Sequence, residues 1–250
     1  PIMDLVRLSR ILVSLARIDH VDVVRIACRS LIMDPILISR ELISLLTSYQ
    51  DLRAGRILEV AMHCNHVDEI SPETIEALAR LRESGIHVYN QTVLLRGINS
   101  SPADMIALCR MLRRLGVETY HIFFGGPVQG MQHVRTTIAE ALAIKTELRS
   151  RCTGRLNPHL IITTRIGKVE IGVDGWIVKR DSGRYVWIRT PYMLAHLKEV
   201  DNNFELPDDA YIDDDGRIVI RYLDGDPLTD SMMEKYGYES AKPSYLIRQI

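Results

Sequence analysis

The chain has 250 residues, with 31 Lys and Arg against 32 Asp and Glu, a net charge of −1, and a composition that is 46% hydrophobic and 25% charged. That length and apolar content allow one large α/β core or a main domain with a smaller appendage, and they exclude a disordered chain. The balanced charge excludes a broad electrostatic footprint for nucleic acid, no apolar run reaches membrane-spanning length, and the expected location is the cytoplasm with neither nucleic acid nor membrane as partner.

In chain order, Asp4 to Ala16 places Leu5, Leu8, Ile11, Leu12 and Leu15 close to the helical period, with Arg7 and Arg10 for the wet side. Val21 to Ala27 is a β-branched strand that ends in Cys28-Arg29-Ser30, and Ile38 to Thr47 supplies a returning helix. Arg56 to Met62 is the next strand, His63-Cys64-Asn65-His66 its exit loop, and Ser71-Pro72 opens a helix with Ser71 as N-cap. Gly85 to Tyr89 leads into Asn90-Gln91-Thr92-Val93-Leu94-Leu95-Arg96-Gly97-Ile98-Asn99, a buried strand opening into a polar loop, and Ser101-Pro102 caps the following helix by the same device. Thr119 to Phe124 empties into Gly125-Gly126-Pro127, followed by a helix over Thr137 to Arg149. Strand starts near residues 21, 56, 86 and 119 recur at about the 30-residue spacing of βα units, which predicts a parallel sheet, an arc of a (β/α) barrel.

From about residue 170 the character changes. Leu160 to Thr164, Trp176 to Arg180, Tyr185 to Arg189 and Arg217 to Tyr222 read as strands, with turns at Asp181-Ser182-Gly183 and Asp213 to Gly216. The acidic Asp208 to Asp215 stretch reads as a solvated loop, since it lacks the pattern of a calcium loop. The expected organisation is a partial barrel over 1–170 and a β-rich appendage over 171–250. Cys28, Cys64, Cys109 and Cys152 are too scattered for a disulfide scaffold or paired metal ligands, so reduced thiols are expected. The chain opens at Pro1 without an initiator Met, which reads as a fragment or processed product.

Loops after barrel strands carry chemistry, so Gln91, Arg96 and Asn99 are candidates. A satisfied buried amide, a surface arginine and an ordinary turn are the plainer reading. His63 and His66 could hold a metal only with a third ligand from elsewhere, and no metal site is assigned. Arg25 and Arg29, with Gln129, His133 and Arg135 beyond the Gly-Gly-Pro loop, suit an anionic ligand such as a carboxylate or phosphate. Lys168 follows Gly167; in a partly desolvated pocket such a lysine can form a Schiff base with a carbonyl cofactor.

Taken in order, VDVVRIACRS (Val21 to Ser30), His63 to His66, NQTVLLRGIN (Asn90 to Asn99) and QGMQHVRT (Gln129 to Thr136) resemble the lysine 2,3-aminomutase family of radical S-adenosylmethionine enzymes over residues 1–170. The resemblance implies an α/β fold, a partial (β/α) barrel of the radical S-adenosylmethionine type with a β-rich C-terminal appendage. It implies an isomerase in which S-adenosylmethionine and a [4Fe-4S] cluster generate a radical, while pyridoxal phosphate carries the migrating amino group of an amino acid substrate. It places His63 and Gln91 near S-adenosylmethionine and Lys168 at the pyridoxal phosphate lysine, with Arg25, Arg29 and Arg135 available for anionic groups; a homo-oligomer is expected.

Three departures qualify it. The family's Cys-x-x-x-Cys-x-x-Cys motif would precede the region that begins here, so the cluster ligands are not in this chain, and the fragment alone is expected to be inactive. The Pro-Gly-Gly-Gly-Gly-Lys run of the family is Thr164-Arg165-Ile166-Gly167-Lys168 here. Gly126 and Thr163 stand where lysine-specific members carry aspartates for the substrate's distal ammonium, which points to an amino acid with a smaller or uncharged side chain. The competing readings are a radical enzyme without pyridoxal phosphate, a non-catalytic barrel module, and, more remotely, a zinc hydrolase using His63 and His66.

Overall fold

The computed structural model describes residues 4–172, 176–181 and 184–226. The helices are α1 (Leu5–Leu15), α2 (Ser30–Met33), α3 (Arg40–Tyr49), α4 (Pro72–Glu83), α5 (Pro102–Arg114), α6 (Ile138–Arg151) and α7 (Leu194–Val200). The strands of the larger sheet are β1 (Val23–Cys28), β2 (Ile57–Met62), β3 (His87–Leu94), β4 (Glu118–Phe124), β5 (His159–Thr164) and β6 (Gly167–Glu170), hydrogen-bonded in chain order. A second sheet holds β7 (Trp176–Arg180), β8 (Tyr185–Met193), β9 (Ala210–Ile212) and β10 (Arg217–Leu223) in the order β7-β8-β10-β9. The chain is thus α/β, with a mixed, mostly parallel sheet and an antiparallel one. Among the described residues no helix is long and apolar enough to cross a membrane.

Two compact units emerge, Pro1–Thr92 with Ile106–Tyr120, and Val93–Met105 with His121–Ile250. In the first, β1, β2 and β3 run parallel, in register from Val23↔Ile57 to Cys28↔Met62 and from Glu59↔His87 to Met62↔Asn90. Leu58, Val60, Met62 and Val88, which alternate along their strands, are buried on one face of that sheet, as the two-residue repeat demands. The helix starts follow the side chains that can accept from an open amide: Ser39 caps α3 through Leu42 N, and Ser71 caps α4 through Thr74 N with Pro72 in the first turn. In α1 only Leu8 and Leu12 are buried, while Leu5 and Ile11 stay exposed, so its covered stripe is narrower than the apolar pattern predicts.

In the second unit β4 and β5 are parallel, and β5 turns back into β6 as an antiparallel hairpin. Helix α6 begins with a capping box in which Thr137 and Glu140 bond reciprocally. The change near residue 170 is the passage to the antiparallel sheet β7–β10. Three elements there were not expected from the sequence: β6, α7 and β9. The last corrects the reading of Asp208 to Asp215 as a loop, since Tyr211 pairs with Val219 and Asp213 binds Arg189. Of the expected Asp181-Ser182-Gly183 turn, Ser182 and Gly183 lie outside the described residues.

Candidate functional site

The register of the first unit assembles a row. Cys28, Met62 and Asn90 are aligned across β1, β2 and β3, so Arg29, His63 and Gln91 each stand one residue further on, Arg29 and His63 just past the carboxyl ends of β1 and β2 and Gln91 level with them inside the longer β3. Carboxyl ends are where open and closed α/β sheets place their ligands. Asn90 makes this edge firm: it is 1% exposed, its Oδ1 accepts from Cys64 N at 2.9 Å, and its Nδ2 donates to Cys64 O at 2.9 Å and Thr92 Oγ1 at 2.7 Å. The exit loop of β2 is thereby stapled to β3.

Within the row the three side chains differ in what they have left to offer. Arg29 Nη2 pairs with Glu69 Oε1 at 3.3 Å, and Glu69 Oε2 accepts from Asn65 N at 3.2 Å. His63 Nε2 is 3.1 Å from Asn65 Oδ1; burial first, then the Arg29 charge, hold its imidazole below the ordinary range, so it is neutral at pH 7. The side chain of half-buried Gln91 makes no hydrogen bond among the described residues and keeps its whole amide for a ligand. His66 turns away, its Nδ1 accepting from Asp68 N. Among the described residues no three or more His, Cys, Asp or Glu are placed to hold a metal ion.

Cys64 lies at the same edge but is inert. Its thiol is pushed up to about 12, by burial first and then by Glu69, and its Sγ sits 3.2 Å from His66 O. Four residues back toward the strand starts, Arg25 is committed to Glu59 at 3.4 Å and lies 5.0 Å from the centre of the Tyr89 ring.

The second unit holds Lys168, exposed on β6. It pairs in register with Thr163, and its Nζ lies 5.0 Å from the centre of the Phe123 ring. The amine has no carboxylate partner among the described residues, and its side chain is exposed among them, not held in the partly desolvated pocket that the sequence suggested. Gly126 and Thr163 add no charge.

Arg135 and Asn99 are occupied inside the fold, and Arg96 is buried there and bonded through Nη2 alone, its Nε and Nη1 having no partner among the described residues. Arg135 is 2% exposed; its Nε donates to Gly125 O at 3.0 Å, Nη1 to Asp224 O at 3.4 Å, and Nη2 to Leu223 O and Tyr222 Oη. Every nitrogen of that guanidinium is engaged by the fold, not open to an anion. Arg96 Nη2 donates to Glu140 Oε2 and Asp226 O, each at 2.6 Å, and Asn99 closes its own loop through Leu95 N and Val93 O. Beside them Asp224 Oδ1 accepts from Ile138 N at 2.8 Å, and burial pushes its carboxyl up. The exit of β10 therefore holds the start of α6. Glu69, Phe123 and Tyr222 were missed as neighbours of the candidate residues, because each meets its partner across a chain separation that carries no local pattern.

No protein-family model matches the chain. It is similar to the glutamate 2,3-aminomutase of Clostridioides difficile, 34% identical over 183 residues that make up 73% of this chain and 42% of that protein. It is similar also to the L-lysine 2,3-aminomutases of Fusobacterium nucleatum, 32% identical over 62% of this chain and 35% of that protein, and Clostridium subterminale, 31% identical over 62% and 36%. The chain spans half or less of the length of the curated relatives it matches.

Proposed function

This chain belongs to the lysine 2,3-aminomutase family, and from that premise we propose that it is part of a cytoplasmic isomerase that shifts an amino group between neighbouring carbons of a free amino acid. The observation that carries the reading is the row formed by Arg29 and His63, just past the carboxyl ends of β1 and β2, and Gln91, level with them on β3. Two of its members, His63 and Gln91, stand at the positions the family resemblance gives to S-adenosylmethionine. A neutral imidazole and an uncommitted amide suit a nucleoside, whose ring nitrogens and ribose hydroxyls both donate and accept.

When bound, S-adenosylmethionine with a [4Fe-4S] cluster would supply the radical, and pyridoxal phosphate an aldehyde for the migrating nitrogen. The residues present fit these groups unequally. Gln91 would bind a ribose hydroxyl, His63 would orient the nucleoside, and Lys168, with an unpaired amine over Phe123, would hold the aldehyde. The chain's four cysteines sit on separate elements and do not fit a cluster, whose ligands we place outside these 250 residues. Gly126 and Thr163 offer no carboxylate to a distal ammonium, which supports an amino acid with a smaller or uncharged side chain over lysine.

A second reading, a radical enzyme without pyridoxal phosphate, is favoured by one observation: Arg25, Arg29 and Arg135, the expected phosphate anchors, all have partners already. Expression with the natural upstream coding sequence and anaerobic reconstitution with iron and sulfide test both. Deoxyadenosine released from S-adenosylmethionine together with a borohydride-trapped cofactor on Lys168 supports the first reading. Deoxyadenosine without the adduct supports the second, and neither iron nor deoxyadenosine sinks both.

A further inference from the structure

We propose that Tyr192, on the antiparallel sheet, is the positioning residue for Lys168, so that this sheet takes part in presenting the amine; the inference rests on reading Lys168 as the cofactor lysine. The β5–β6 hairpin closes at the pair Thr164↔Gly167. Thr164 Oγ1 donates to Gly167 O at 2.8 Å and accepts from Ile166 N at 3.3 Å, and Arg165 pairs with Asp209 at 3.2 Å. Side chains are therefore welcome at 164 and 165, and the hairpin uses them.

Gly167 is different. Its φ is +148°, and a Cβ there would lie 2.5 Å from Tyr192 Oη, 2.6 Å from Cζ and 2.9 Å from Cε2. The phenol ring fills the space that any other residue would need. Its hydroxyl then donates to the carbonyl of the next residue, Lys168 O, at 2.8 Å. Tyr192 itself is fixed from behind: its N donates to Thr190 Oγ1 at 3.2 Å, Thr190 Oγ1 donates to Ile218 O at 2.8 Å, and Arg217 Nη1 donates to Pro191 O at 3.1 Å. The Lys168 backbone is held on one side by its ladder partner Thr163 and on another by this phenol, and its side chain leaves over Phe123. A reactive group is only as well placed as the shell that supports it.

Of the family's glycine run this chain keeps Gly167, the position whose Cβ would meet the ring. Tyr192 takes no part in the bond change itself, in which the Lys168 amine condenses with an aldehyde to form C=N and releases one water.

The test measures the rate at which pyridoxal phosphate is trapped by borohydride on the Lys168 peptide, across pH 6 to 9, in the purified full-length protein. Tyr192→Phe keeps the ring and removes the hydroxyl; the trapping rate should fall about 2- to 10-fold, the range one net hydrogen bond represents. Circular dichroism should be unchanged, and the melting temperature should fall by no more than the few degrees that one net hydrogen bond represents. Gly167→Ala should lower the rate and the melting temperature, and by less when combined with Tyr192→Ala, which vacates the space. A Tyr192→Phe protein that matches wild type in rate and pH profile overturns the inference while leaving Lys168 as the cofactor lysine, as do strictly additive Gly167→Ala and Tyr192→Ala effects. No adduct in the wild-type protein overturns the cofactor reading, and this inference with it.

Discussion

Replacing Arg135 with Met keeps most of the volume and removes a guanidinium that is 2% exposed and donates to three carbonyls, of Gly125, Leu223 and Asp224, and to the Tyr222 hydroxyl. Each buried acceptor left without its donor costs about 1 to 3 kcal/mol. Partial relaxation and the absence of any charge left behind keep the total below the simple sum, so a loss of about 3 to 5 kcal/mol is expected, the scale of breaking a buried ionic contact. Urea unfolding followed by far-ultraviolet circular dichroism should show the midpoint falling by about 1 to 2 M, for a slope of about 2.5 kcal/mol per M, with the slope itself kept. A loss under about 1 kcal/mol would refute the reasoning, since hydrogen bonds worth having were removed. If the same variant also lost affinity for pyridoxal phosphate at unchanged stability, the guanidinium would serve a ligand and not the exit of β10.

Two further outcomes follow from the same geometry. His63 should titrate below the ordinary imidazole range in proton NMR; Arg29→Met should raise it by removing a repelling charge, and Glu69→Gln should lower it by removing an attracting one. An unmoved His63 in Arg29→Met would show that the two side chains do not share a row. Gly225→Ala should destabilise by about 1 to 3 kcal/mol in thermal unfolding, because its Cβ would lie 2.3 Å from Thr136 O and 2.5 Å from Thr136 C, backbone atoms that cannot swing aside. Wild-type stability in that variant would mean that the β10 exit does not seat on the α6 start.

What the sequence determined by itself is whatever has a short-range cause. The strands β1 to β5 and helices α3 to α6 were legible because apolar period, Ser or Thr caps and prolines act within one turn or one strand: Ser71 and Thr137 each find their amide partner three residues on. The placement of His63 just past the end of β2 and of Gln91 within β3 was legible for the same reason. What only the tertiary structure decided is which polar group stays available. Asn90, Arg96, Asn99 and Arg135 read like Gln91 in sequence, a polar side chain in or beside a strand exit. Asn99 closes its own loop, whereas Asn90, Arg96 and Arg135 reach partners 26, 130 and 88 residues away, at Cys64, Asp226 and Leu223, and no local pattern announces a carbonyl. Gly167 likewise reads as the remnant of a longer glycine run until Tyr192 is seen to occupy its missing side chain. Backbone propensity is written in neighbours along the chain, whereas the satisfaction of a buried donor depends on whatever the fold brings opposite it.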